Sequence, residues 1–179
     1  MRRTRLRVST TCPNYVWPGS RRLRVAVKRI AKGNLLQTIL RTGVVVGLGG
    51  GMIQSIWLPF KLGVGGPLGT GKQIMPWIHM QDLCSLIQHI IEKPVRGVVN
   101  AVAPEIASNG SFSKAFAKAL SRPCIFNVPE FVVHAIFGND RAALLLSGAK
   151  VEPKEAIASG FKFQYPTVNE AVKELTRKR

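Results

Sequence analysis

Cysteine, tyrosine and acidic residues are all scarce in this 179-residue chain, and each scarcity excludes something. Cys12, Cys84 and Cys124 are odd in number, far apart, and form no CxxC pair. That argues against a disulfide framework or a thiolate zinc site and fits a reducing compartment, expected to be the cytoplasm. No apolar run reaches 18 residues, so no transmembrane helix is expected. The two tyrosines, Tyr15 and Tyr165, are followed four positions on by Gly19 and Asn169. The Tyr-x-x-x-Lys dyad, in which lysine lowers the tyrosine pKa for proton exchange with a substrate, is therefore absent. A GxSxG nucleophile elbow is absent too, because Ser147-Gly148 and Ser159-Gly160 lack the earlier glycine. No catalytic residue or metal ligand is assigned.

Nine acids stand against 26 Lys and Arg, a net charge of +17. Ten of the basic residues and none of the acids lie in residues 1–40. More than half of the excess thus occupies less than a quarter of the chain, which weakens nucleic acid as the main partner. A basic arm of this kind contacts RNA or an anionic membrane through phosphates. Alternatively, Arg2, Arg3, Arg5 and Arg7 with Ser9, Thr10 and Thr11 have the composition of a mitochondrial address. The plainest reading of residues 1–35 is a disordered leader with no core, in which Arg22 to Lys32 forms at most a short basic helix.

From Leu36 the pattern changes. Leu36 to Leu40 and Val44-Val45-Val46 are β-rich and apolar, as in a strand buried on both faces. Met52 to Leu62 reads as a helix bent near Pro59, and the glycine-rich Gly63 to Gly71 as a loop. Leu83, Leu86, Ile87, Ile90 and Ile91 have helical spacing, with Asp82 suited to the first turn or cap. Gly97 to Val102 reads as a strand, Ser111 to Leu120 as a helix capped by Ser111 or Ser113, and Cys124 to Val128 as a strand. Helices are expected over Glu130–Phe137, Ala142–Gly148 and Lys154–Ser159, then a brief strand at Phe161–Phe163. The last helix starts at Thr167, with Glu170 at capping-box spacing. Alternating strands and helices make the fold class α/β.

Two motifs suggest phosphate binding and fall short. Gly66-Pro67-Leu68-Gly69-Thr70-Gly71-Lys72-Gln73 approaches GxxxxGK[ST], but Gln73 has no hydroxyl for magnesium and Pro76 interrupts the helix that should follow. Gly47, Gly49, Gly50 and Gly51 evoke GxGxxG, yet Met52 stands at the last glycine and no acid lies about 20 residues on. His79, near Trp77 and Asp82, suits the lining of a ligand pocket or a loop-orienting hydrogen bond better than catalysis. His89 and His134 suit packing or surface positions on helices.

Leu40-Arg41-Thr42-Gly43-Val44-Val45-Val46-Gly47, Gly49 to Met52, Leu58 to Gly71, Pro76-Trp77-Ile78-His79-Met80-Gln81-Asp82-Leu83 and Gly97 to Pro104 closely resemble the epimerase-like atypical short-chain dehydrogenase/reductase family. Pro129 to Phe137, Leu144 to Pro153 and Gly160 to Pro166 resemble that family's small C-terminal domain of unknown function. The resemblance covers about residues 36–179 and implies the C-terminal part of a Rossmann-like NAD(P)-binding fold with a small α/β substrate lobe. It divides the chain into a leader (1–35), late Rossmann strands with a substrate-lobe segment (36–127) and the small C-terminal domain (128–179). It also implies NADP as cofactor and oxidoreductase or epimerase chemistry on a small-molecule substrate. Arg41, Gly43, Val44 and Val45 then lie along the nicotinamide side of the cofactor, and Trp77, His79 and Asp82 at the substrate pocket. The nucleotide-binding βαβ unit and the tyrosine–lysine pair are missing. The chain is accordingly expected to be a truncated isoform or fragment, inactive alone.

Overall fold

The computed structural model describes residues 7–9, 24–31, 34–48, 50–93 and 95–177. Arg2, Arg3, Arg5, Cys12 and Tyr15 lie outside these residues.

A four-stranded sheet is built from β1 (Arg7–Ser9), β2 (Arg24–Ala31), β3 (Asn34–Thr42) and β7 (Gly97–Ala101) in that order. β1–β2 and β2–β3 are antiparallel, whereas β3 and β7 run parallel from Thr38↔Gly97 to Thr42↔Ala101. A second, parallel pair joins β4 (Val44–Val46) to β6 (Trp77–His79), and β5 (Ile74–Met75) pairs antiparallel with β8 (Ala107–Ser108). Seven helices accompany the strands among the described residues: α1 (Gly51–Lys61), α2 (Met80–Glu92), α3 (Asn109–Ala119), α4 (Glu130–Phe137), α5 (Asn139–Ser147), α6 (Lys154–Ala158) and α7 (Val168–Arg177). The α/β class is therefore observed.

Two apolar clusters fill the spaces between these layers. Leu40 and Val99 of the large sheet pack with Leu86 and Ile90 of α2, which fall one turn apart on one helix face. The larger cluster gathers α1, α3 and α7 around β4 and β6, with Phe112 and Phe116 buried at its centre. The capping box of α7 is present as the spacing predicts. Glu170 N donates to Thr167 Oγ1 at 3.3 Å, while Thr167 N and Oγ1 donate to Glu170 Oε2 at 3.1 and 2.8 Å. Thr167→Ala is expected to cost about 1 kcal/mol, read as a lower urea midpoint at unchanged slope.

Several expectations need correction. Arg24–Ala31 is a strand rather than a basic helix, and with Arg7–Ser9 it gives part of the supposedly unstructured leader a place in the sheet. Val25 and Val27 are β-branched, and β3 offers a full ladder from Arg24↔Arg41 to Ala31↔Asn34, so pairing wins over helical propensity. Strand β3 is thereby paired on both sides, with β2 and with β7. Residues 36–46 form two strands in different sheets rather than one. The α3 cap is Ser108, whose Oγ accepts from Ser111 N at 3.0 Å. Cys124–Val128 makes only a single bridge, Leu68↔Val128, because the neighbouring Pro67 has no N–H to extend a ladder. Phe161–Phe163 is not a strand: Phe161 N caps α6 by donating to Ala156 O at 3.1 Å, and the amides of Gln164 and Tyr165 are taken by a side chain.

Candidate functional site

At Gly43 the backbone leaves one sheet for the other. Gly43 N donates to Ala101 O of β7 at 3.2 Å, and the next amide, Val44 N, donates to Pro76 O at 2.7 Å. Ala103 N in turn donates to Trp77 O at 2.6 Å, so β7 and β6 are stitched together beyond the same point. The carboxyl end of the β3–β7 pair therefore meets the amino end of the β4–β6 pair here, and the carboxyl ends of β4 and β6 lie farther on, at Val46 and His79. Only glycine fits the crossing. A Cβ on Gly43 would lie 2.5 Å from Pro76 O, a backbone atom with no freedom to yield. Gly43→Ala is expected to lower stability by about 1–3 kcal/mol, measurable by urea denaturation, as overpacking does.

Around this point the sequence-assigned residues come together unevenly. Val44 pairs with Trp77 and Val45 with Ile78, which brings the assigned cofactor strand and pocket segment side by side. Arg41 is exposed near the end of β3, a cation at a strand terminus. Trp77 is fully buried, and its Nε1 has no hydrogen-bond partner among the described residues. His79 is also buried. It precedes α2, and its Nδ1 accepts from Gln81 N at 3.2 Å as the helix cap. Its ring lies against Tyr165 at a centroid distance of 4.1 Å.

Asp82 is buried, 1% exposed. Its two carboxylate oxygens accept from Gln164 N at 2.8 Å and Tyr165 N at 3.0 Å. This bidentate clamp ties α2 to the stretch before α7. Tyr165 OH reaches Gln81 Oε1 at 3.4 Å, so Tyr165 belongs to the junction although no proton-transfer role had singled it out. The buried carboxylate is the signal that could have found it, since an acid at that position needs donors.

The glycine loop is not a phosphate cradle. Its amides are already spent: Gly69 N donates to Val128 O at 2.8 Å and Gly71 N to Leu68 O at 3.0 Å. Leu68 N donates to Oδ1 of the buried Asn109 at 2.7 Å, and Gly110 N to Gly71 O at 2.8 Å. A Cβ on Gly66 would sit 1.7 Å from Phe126 O, so these glycines permit close backbone packing. Neither described cysteine forms a disulfide, and burial pushes the Cys124 thiol up against the weaker opposing pull of Lys114. That keeps Cys124 protonated near neutral pH and unsuited to nucleophilic work. Among the described residues, no group of three or more His, Cys, Asp or Glu side chains stands close enough to hold a metal. No helix among them is long and apolar enough to cross a membrane.

Comparison with known proteins gives this geometry a family. A domain of unknown function, DUF1731, matches residues 128–175. The chain is 42% identical over 152 residues to the epimerase family protein SDR39U1 of Bos taurus, covering 84% of this chain and 52% of that one. The crystal structure of human epimerase family protein SDR39U1 (isoform 2) with NADPH superposes with a TM-score of 0.75 at 43% identity. That match covers 79% of this chain and 48% of the human one. UDP-glucose 4-epimerase of Thermus thermophilus, solved with NAD, shares the fold alone, with a TM-score of 0.56 at 15% identity over 77% of this chain and 44% of its own. The chain spans about half the length of the curated relatives it matches. By its sequence, its C-terminal domain and its Rossmann-like architecture, it belongs to the epimerase family of short-chain dehydrogenase/reductase proteins and corresponds to their C-terminal part.

Proposed function

We propose that this chain forms the substrate-lobe side of an NADP-dependent oxidoreductase or epimerase-like enzyme and performs no hydride chemistry alone. The observation that carries the reading is the parallel register of β4 with β6, which sets Val44 and Val45 beside Trp77 and Ile78 and puts both carboxyl ends at Val46 and His79, the end of a parallel pair where open α/β sheets form ligand crevices. The similarity to a human protein solved with NADPH supports the choice of cofactor.

The residues present fit one side of such a cofactor. The backbone from Arg41 to Val45 would pass its nicotinamide side, and the exposed Arg41 offers positive charge to a phosphorylated ligand. When bound, NADP donates or accepts the hydride. This chain's part is shape and position. Trp77 and His79 form a rigid wall behind β4, and Asp82 fixes the segment carrying Tyr165 against that wall. The glycine run from Gly47 to Gly51 that leads into α1 lacks the GxGxxG spacing that grips pyrophosphate, and the sequence has no Tyr-x-x-x-Lys dyad to move the proton.

The test is a titration of the purified chain with NADPH, followed by tryptophan fluorescence. Little or no saturable binding is expected, with binding appearing once the N-terminal half of the human relative is added in trans. Tight saturable binding by the chain alone would overturn the division of labour.

A second reading rests on the ten basic and no acidic residues of positions 1–40. In it the arm makes a non-catalytic module that contacts RNA or an anionic membrane. Replacing Arg2, Arg3, Arg5 and Arg7 by glutamine should then weaken binding to a short RNA and flatten its salt dependence. Binding indifferent to salt would remove this reading.

A further inference from the structure

We propose that the chain binds an uncharged, largely apolar small molecule in a pocket between α1 and α4, away from the Gly43 crossing. The cavity measures about 480 Å³ and is lined by fourteen residues, none of them ionisable. It shares no residue with the Arg41–Val45 strand or with Trp77, His79 and Asp82. This inference therefore stands apart from the cofactor reading.

The pocket is bounded on four sides. Ile56 and Phe60 of α1 form one wall and Val132 and Ile136 of α4 the opposite one. The glycine loop and residues 126–129 supply the other two. Backbone hydrogen bonds fix these walls. Val64 N and Gly65 N donate to Pro59 O at 3.1 and 3.0 Å, and Val128 N donates to Pro67 O at 2.7 Å. The glycines bring the walls together, since a Cβ on Gly65 would lie 2.4 Å from Phe60 Cδ2. A preformed concavity of this volume falls in the range of small-molecule sites. Closure on four sides suits a compact molecule better than a helix or strand of another protein, which needs an open groove.

The lining also selects the chemistry. Only Ser55 and Asn127 bring polar side chains to it, in a chain otherwise rich in Lys and Arg. A charged ligand buried there would lose its hydration without gaining a partner. Val64, Phe126 and Ile136 are 60%, 66% and 51% exposed, so an occupant covering them would remove apolar surface from water. The fitting ligand carries an aliphatic chain or ring system and at most one or two neutral hydrogen-bonding groups.

The test uses the full chain and Nile red, an uncharged fluorophore, without NADPH. Saturable binding is expected. Val132→Phe fills the cavity and should weaken it at least tenfold with an unchanged circular dichroism spectrum. Ser55→Phe, on the accessible face of α1, should do the same should the first variant not fold. Ile157→Ser, which removes an exposed apolar side chain outside the pocket, should leave affinity within twofold. Decanol should displace the dye, and decanoate and decylammonium at least tenfold less well. Equal loss in all three variants, or retention in both filled ones, would overturn the site. Displacement by either ion as good as by decanol would overturn its chemistry. Self-association in sedimentation that Val132→Phe or Ser55→Phe abolishes would instead make the face a contact between copies.

Discussion

Phe116→Ala is expected to cost about 3–5 kcal/mol, the range for deleting a fully buried phenyl ring. Phe116 has no exposed surface and stands at the meeting point of three other rings. Trp57 and Phe60 of α1 approach it edge-on at centroid distances of 5.6 and 5.1 Å, and Phe112 stacks on it at 6.3 Å from one turn earlier in α3. These geometries favour the aromatic quadrupoles and add to plain area burial. Collapse cannot fill the resulting cavity, because the rings around it are held by two helices packed on a sheet. A small domain has total stability of only about 5–15 kcal/mol, so the variant should be marginal at 37 °C. Urea unfolding followed by circular dichroism reads the effect, and a loss below about 1 kcal/mol would mean that α1 and α3 do not meet as described.

Asp82→Ala is expected to cost about 3 kcal/mol by a different route. The side chain is small, and the cavity it leaves matters less than the two amides it abandons. Gln164 N and Tyr165 N both donate to this one buried carboxylate, and hydrogen bonds to a charged group are worth about 1.5–3 kcal/mol each. Asp82→Asn should fall between wild type and alanine, because one acceptor oxygen survives. Hydrogen exchange separates this clamp from general destabilisation. The amides of Gln164 and Tyr165 should lose protection in both variants under conditions where the amides of α2 keep theirs. Unchanged exchange at 164 and 165 would show that the carboxylate does not hold them.

How legible this was depended on whether the determining interaction is local. The capping box at Thr167 and Glu170 and the Leu86–Ile90 stripe are set within one or two turns, and spacing alone revealed them. Asp82 was legible as a first-turn acid, but not as a clamp, because its donors lie more than 80 residues away. The crossing at Gly43 was hidden for the same reason. Leu36 to Leu40 and Val44 to Val46 read as one buried strand, and only the carbonyls of Ala101 and Pro76 divide it. Strand β2 was missed because its basic and apolar residues follow neither the helical nor the strand period, and only the ladder with β3 decides its conformation. The glycines of the loop were noticed for chemistry they do not perform. Their reason is the carbonyl of Phe126, which no sequence pattern announces. The family resemblance carried most of what was read about the candidate site, and the distances then gave its residues mechanical duties.

The central claim is that residues 36–179 carry the substrate-lobe side of a family enzyme whose nucleotide grip is supplied by other residues. The most direct measurement is NADPH affinity of a chimera in which these residues replace the corresponding part of human SDR39U1. The account predicts binding within about tenfold of the parent, and a loss of at least tenfold when Gly43→Ala is introduced into the folded chimera. A folded chimera that fails to bind NADPH, or one whose affinity ignores Gly43→Ala, would contradict it.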